Sequence, residues 1–101
     1  MAKSHAQAAR LTQVLRLFAM FGHPLRVVIF QRLARAQMSA GELAGTLPVT
    51  RTAVVQHLKL LESAGLVAAS FQERRRIYRV RPRGLAPLRS WLSRHSGGEL
   101  G

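Results

Sequence analysis

Arg51, Thr52, Val55, Gln56 and Lys59 alternate at spacings of one and three within the run TRTAVVQHLKLLESAGLV, Thr50 to Val67. On a helix that spacing collects them on one side, while Val54, Leu58 and Leu61 form an apolar stripe on another. The polar side has the vocabulary of a surface that reads a DNA duplex. An arginine fork matches a guanine edge bidentately, and a glutamine amide suits adenine. A threonine hydroxyl takes a base edge or a phosphate, and a valine suits a thymine methyl. Arg51, Thr52, Val55 and Gln56 are therefore the candidate base contacts, and Lys59, two turns in, suits a phosphate. The plainer alternative is a solvated helix with incidental polar residues.

A second run carries charge without much variety. FQERRRIYRVRPR places Arg74, Arg75, Arg76, Arg79, Arg81 and Arg83 close together, with Glu73 as the interruption. Arginine at this density fits phosphate contact or insertion into a narrow minor groove. Arg74, Arg75 and Arg76 sit nearest the expected turn and are the candidate phosphate contacts of the run. The residues further back fit an ordinary charged surface as well. Ser39 and Thr50, each at an expected helix start, join as candidate phosphate contacts. His57 either touches a phosphate or braces the backbone, and His23 reads as a loop residue.

The whole chain agrees with a polyanionic partner. Its 101 residues hold 16 Lys and Arg against 4 Asp and Glu, for a formal net charge of +12. That balance favours nucleic acid first and an anionic membrane second. There is no Cys, so disulfides, thiolate metal sites and cysteine redox chemistry are excluded. No apolar run approaches the roughly 20 residues that span a bilayer, and MAKSHAQAAR lacks the apolar core of a secretory signal. The cytoplasm is the expected location. With no Asp, no glycine-rich phosphate loop and no Ser–His–acid set, no enzymatic activity and no cofactor are expected.

The elements that must position these residues follow from periodicity. Leu11, Val14, Leu15, Phe18 and Phe21 predict a helix over about 7–21. Gly22-His23-Pro24 breaks it, and Pro24 opens a second helix over about 24–36. Ser39 and Glu42 match a capping box, which predicts a short helix over about 39–46 that Pro48 stops. Thr50 or Thr52 caps the helix 51–63, and Gly65 ends it in the left-handed conformation. Alternation at Val67, Ala69 and Phe71, and again at Arg76, Tyr78 and Val80, predicts a hairpin over about 67–81 with its turn at Gln72-Glu73-Arg74. Leu88, Trp91 and Leu92 predict a last helix over about 85–95. The expected fold is mostly α with a small β-hairpin: a winged helix-turn-helix of four helices, two strands and a helix. It forms one domain over 1–95, with a flexible tail over 96–101. Leu11, Leu15 and Phe18, with Leu88, Trp91 and Leu92, offer more apolar surface than one small domain easily buries. A homodimer through these residues is expected, although Trp91 also suits an ordinary core.

The motifs also resemble a family. FGHPLRVVIFQRLA, MSAGELAGTLPVTRTAVVQHLKLLESAGLV and the basic stretch ending IYRV are similar to the ArsR-type bacterial repressors. Pro24 and Arg26 match the first motif. Ser39, Glu42, Leu43 and Ala44 match the second. Val54, His57, Leu58, Leu61, Ala64, Gly65, Leu66 and Val67 match the third, and Tyr78 with Val80 matches the wing. The likeness covers about residues 15–81, and RGLAPLRSWLSRH resembles the small autorepressor branch without metal ligands. It implies a homodimer on the first and last helices that binds an inverted repeat and represses transcription. Two positions depart: Val55 stands where relatives often have Ser, and Glu73 where the wing turn usually has Gly.

Many relatives sense metals, but the corresponding stretch here, Glu42-Leu43-Ala44, has no thiolate. The last helix offers only His95, and His5 with His95 across a dimer would make a weak zinc site, so no metal is expected. A small-molecule or protein inducer of unknown nature is compatible with this reading. The rival expectation is an architectural DNA binder with little sequence preference, which the arginine run permits and the varied helix face disfavours.

Overall fold

The computed structural model describes residues 2–97, with side chains from residue 5 onward. Of the expected tail, Ser96 and Gly97 form a turn and the remainder lies outside the described residues. The order is α1 (Ala2–Met20), α2 (Pro24–Arg35), β1 (Met38–Ser39), α3 (Ala40–Gly45), α4 (Arg51–Ser63), β2 (Val67–Gln72), β3 (Arg75–Val80), a 3-10 turn (Pro82–Leu85) and α5 (Ala86–His95). This is a winged helix-turn-helix, mostly helical with a small antiparallel sheet.

The local signals act as their chemistry dictates. Pro24 sits in the first turn of α2, and the His23 ring caps that helix by accepting from the Leu25 N–H at 3.2 Å. Ser39 and Glu42 close a full capping box at α3: Glu42 N–H donates to the Ser39 hydroxyl, and Ser39 N–H donates to the Glu42 carboxylate. Thr50 caps α4 by accepting from the Ala53 N–H. At the other end of α4, Gly65 takes φ 77°. There Leu66 N–H donates to the Leu61 carbonyl and Gly65 N–H to that of Glu62, each at 3.0 Å. That pair of bonds is the Schellman arrangement, which satisfies the last carbonyls of the helix.

The core is continuous. Leu17 of α1, Ile29 and Leu33 of α2, Leu43 of α3, Val54, Leu58 and Leu61 of α4, and Leu66, Val67 and Tyr78 around the sheet pack as one cluster. The apolar stripe of α4 thus holds the helix from behind and leaves its other side to solvent.

Four features differ from the sequence expectation. Helix α1 begins earlier and buries Val14 and Leu17, leaving Leu11, Leu15 and Phe18 exposed. The helix is apolar on two adjoining stripes, and only one is buried in the domain. A third strand, β1, pairs antiparallel with β3 through Met38↔Tyr78 and Ser39↔Ile77, giving the order β1-β3-β2. Two residues are too short to carry a periodic signal. As a consequence β3 is central, with α2 and α3 packed against it, and both Ile77 and Tyr78 are buried in place of strict alternation. Finally, the hairpin turn is two residues long, Glu73 and Arg74, with φ of 50° and 67°. Two-residue hairpins favour positive φ because it matches the strand twist. Neither residue is suited to it, so each stores strain on the order of 1 kcal/mol.

Candidate nucleic-acid interface

Between α3, α4 and the hairpin lies an open groove of about 720 Å³. Helix α4 contributes Arg51, Val55 and Lys59, the start of α3 contributes Ser39 and Gly41, and the hairpin contributes Phe71, Arg74, Arg75 and Arg76. The two runs singled out in the sequence, far apart along the chain, therefore share one surface. Arg51 and Lys59 are exposed and Val55 is half-buried. Thr52 and Gln56 are exposed on the same helix but stand outside the groove lining, as does Thr50.

The groove also holds residues that sequence reasoning passed over. Phe71 is 74% exposed, the most open large apolar side chain among those described. Glu42 accepts from Arg75 at 2.7 Å, and Glu62 accepts from Arg76 through both oxygens at 3.2 and 3.1 Å. Arg76 also lies over the Tyr78 ring, 5.6 Å from its centre. These are the ion pairs found among the described residues, and both engage the hairpin. The Glu42 carboxyl is held below its ordinary value, first by the Ser39 backbone N–H and hydroxyl and then, more weakly, by Arg75. Arg74, at the turn, has no such carboxylate partner among the described residues. The capping box announced Glu42 as a helix residue. Its second partner, 33 residues away, has no local signal.

His57 is placed away from the groove. Its ring lies 4.6 Å from that of His23, and its Nδ1 accepts from Arg26 Nη1 at 3.3 Å, in the tautomer protonated at Nε2. Arg26 in turn donates through Nε to the Met20 carbonyl at 2.8 Å and through Nη2 to that of Ala19 at 3.2 Å. One guanidinium therefore ties the end of α1 to the middle of α4. Burial, then the charges of His23 and Arg26, keep the His57 imidazole below its ordinary value of 6.5. The folded protein thus resists a proton that the unfolded chain accepts. The stability contributed here is complete above about pH 6.5 and declines as the pH falls below it. Thermal unfolding should accordingly show a lower Tm at about pH 5.5 than at about pH 7.5, and His57→Gln should shrink that difference. An undiminished difference in the variant would assign the effect to other groups.

Away from the groove, α1 and α5 lie side by side. Leu11, Leu15 and Phe18 of α1 and Leu92 of α5 are exposed, and Trp91 meets Phe18 edge to face at 5.6 Å. Leu88 is half-buried against the domain's own core. His95 stacks on Trp91 at 4.5 Å with its Nδ1 2.8 Å from the Trp91 carbonyl, and His5 is exposed. Among the described residues no three His or Glu side chains gather as a metal site, and no single helix is long and apolar enough to cross a membrane.

Comparison with known proteins gives a consistent kinship. A family model described as a helix-turn-helix domain matches residues 21–68. The chain is 49% identical over 69 residues to the HTH-type transcriptional regulator Rv2034 of Mycobacterium tuberculosis, a match covering 68% of this chain and 64% of that protein. The aligned region thus spans less than two thirds of that relative's length. Among solved structures, an ArsR-like transcriptional regulator from Rhodococcus is 32% identical with a TM-score of 0.79, over 86% of this chain and 82% of that one. The homodimeric winged helix-turn-helix DNA-binding domain of a possible ArsR-family regulator from Mycobacterium bovis is 26% identical with a TM-score of 0.74, over 93% and 87%. By sequence, by fold and by the arrangement of its helix-turn-helix and wing, this chain belongs to the ArsR family of transcriptional regulators.

Proposed function

We propose that the protein is a homodimeric, sequence-specific repressor that reads an inverted repeat in double-stranded DNA. The observation that carries this reading is the shared groove: the N-terminal face of α4 and the arginine hairpin open onto one surface. Helix α4 enters the major groove, where Arg51, Thr52, Val55 and Gln56 meet base edges. Ser39, Thr50, Lys59, Arg74, Arg75 and Arg76 contact the backbone, with Arg74 reaching furthest along the duplex. His57 acts as a brace between α2 and α4, in keeping with its bond to Arg26. The hydroxyls of Ser39 and Thr50 accept from their helix N–H groups, which leaves each hydroxyl proton to donate to a phosphate.

The exposed stripe of Leu11, Leu15 and Phe18, continued by Trp91 and Leu92 on α5, takes a second copy. A symmetric dimer sets two reading helices about one DNA turn, roughly 34 Å, apart. A clamp of that size over a promoter excludes polymerase, which is repression without a catalytic step. The chromosome, and hence the cytoplasm, is its place of action.

The test is fluorescence anisotropy over a salt series, comparing a duplex from the region upstream of the protein's own coding sequence with a scrambled duplex of equal length. A preference of about a thousandfold or more is expected of a specific binder. Arg51→Ala should cost about 1–3 kcal/mol on the preferred duplex and relax one base position. Equal binding of both duplexes with a steep salt dependence would favour an architectural role. Equal weakening of all sequences by Arg51→Ala would make that side chain a phosphate contact.

A further inference from the structure

We infer that Glu42 and Glu62 are specificity-determining positioning residues, which hold the wing in register with the reading helix; this rests on the DNA-binding reading above. The distal hairpin has no core to hold it. Residues 71–76 are all exposed, and burial begins again only at Ile77. Backbone pairing through Gln72↔Arg75 and Phe71↔Arg76 keeps the two strands together but does not fix the ribbon relative to the helices. Two carboxylates do. Arg75 and Arg76 are consecutive on β3, and both line the groove together with Glu42 and Glu62. One is tied to α3 through Glu42 and the other to α4 through Glu62. The ribbon is restrained at two points, one on each helix of the helix-turn-helix itself.

Glu42 is anchored within its own element, and Glu62 is placed by its position in α4. Glu42 is fixed by the Ser39 backbone N–H at 3.0 Å within the capping box. Glu62 lies in the last turn of α4, immediately before the Gly65 turn that leads into β2. In a chain with four acidic residues and sixteen basic ones, two of the four are spent on wing arginines. The pairing does not remove those arginines from DNA. Each donates to its carboxylate through Nη2 alone, and a guanidinium has five N–H donors, so N–H groups remain for a phosphate. What the pairing removes is freedom. A guanidinium held in place reaches a phosphate only when the duplex lies in one register against α4, and an untethered one reaches phosphates in any register.

The experiment uses the full chain and a duplex enriched from a random-sequence library by the wild-type protein, with a scrambled duplex beside it. Glu42→Gln and Glu62→Gln each remove one negative charge, and glutamine at position 42 still completes a capping box. Glu73→Gln removes the same charge from the turn, where no ion pair is found among the described residues. With Glu42→Gln or Glu62→Gln, affinity for scrambled DNA should rise and its salt dependence steepen, by up to about 0.9 in the log–log slope per added phosphate contact. The ratio of specific to scrambled affinity should fall about tenfold, comparable to the loss of one well-oriented base contact. Glu73→Gln should raise both affinities alike and leave the ratio intact. An unchanged ratio in both paired variants would overturn the inference, as would an equal fall in Glu73→Gln, which would reduce the effect to net charge. A wild-type protein that enriches no sequence at all would instead overturn the DNA-reading function, and the positioning role with it.

Discussion

Leu15→Glu is expected to leave a folded monomer that has lost at least about a hundredfold in operator affinity, the usual scale of a bivalent advantage. The argument starts from exposure. Leu15 is 57% exposed in the single domain, so the fold itself asks little of it. Leu11 and Phe18 are its neighbours one turn to either side, and Trp91 adds an edge contact from α5. A second copy docked on this stripe would bury Leu15 against apolar surface, where a carboxylate without a partner costs several kcal/mol. No acidic residue lies in the first turn of either helix, and Arg10 and Arg94 border a cleft between α1 and α5 beside Leu11 and Trp91. Sedimentation velocity would read the association state and anisotropy the DNA affinity. A variant that remains dimeric and binds as the wild type does would place the dimer contact elsewhere.

Gly84→Ala should destabilise the domain by roughly 3 kcal/mol, the upper end for forcing atoms into a filled space. Gly84 lies in the 3-10 turn that leads into α5, and its Cα rests against the turn that closes α4. A Cβ there would overlap the Gly65 carbonyl oxygen and come within 2.9 Å of its carbon and 3.2 Å of the Leu66 Cα. All three are backbone atoms in a hydrogen-bonded turn, so none can swing aside as a side-chain tip would. The two backbone segments must part, which also pulls at the bond from Arg81 N–H to the Leu66 carbonyl, 2.9 Å long. Denaturant unfolding would measure the loss. A change under about 1 kcal/mol would mean that the 3-10 turn shifts freely and that α5 is not seated through this contact.

Both substitutions act where the sequence was least informative, and the reason is the same in each. Signals that span one helix turn were legible. The Ser39–Glu42 capping box, Pro24 at the head of α2, Thr50 before α4 and Gly65 after it all specify backbone geometry within a few residues. The stripe Val54, Leu58 and Leu61 could be recognised as core because α4 has one apolar side. Helix α1 has two, and nothing in its own residues says that Val14 and Leu17 face the domain while Leu11, Leu15 and Phe18 face outward. That choice is made by the partner elements. The pairings of Arg26 with His57 and of Arg75 with Glu42 join residues 31 and 33 positions apart, so no local pattern foretells them. For the interface, residue types gave the chemistry of α4 and the wing. Their meeting in one groove, and the carboxylates between them, required the fold.

The two-residue hairpin turn bears on the order in which the wing assembles. A turn of Asn-Gly would nucleate its hairpin, because those residues visit positive φ readily. Glu73 and Arg74 resist it, so the tip does not lead. Val67 and Tyr78 are buried in the common core, and Val80 pairs with Val67 at the base. Strand pairing is therefore expected to start at that end, once the helices have collapsed, and to close outward towards the tip. In the native protein the same gradient should run backwards: the amide protons nearest Glu73 are expected to open first and exchange fastest, with protection growing towards the base, which native-state hydrogen exchange would read. The part of the wing that reaches furthest is then also the part that the fold commits last.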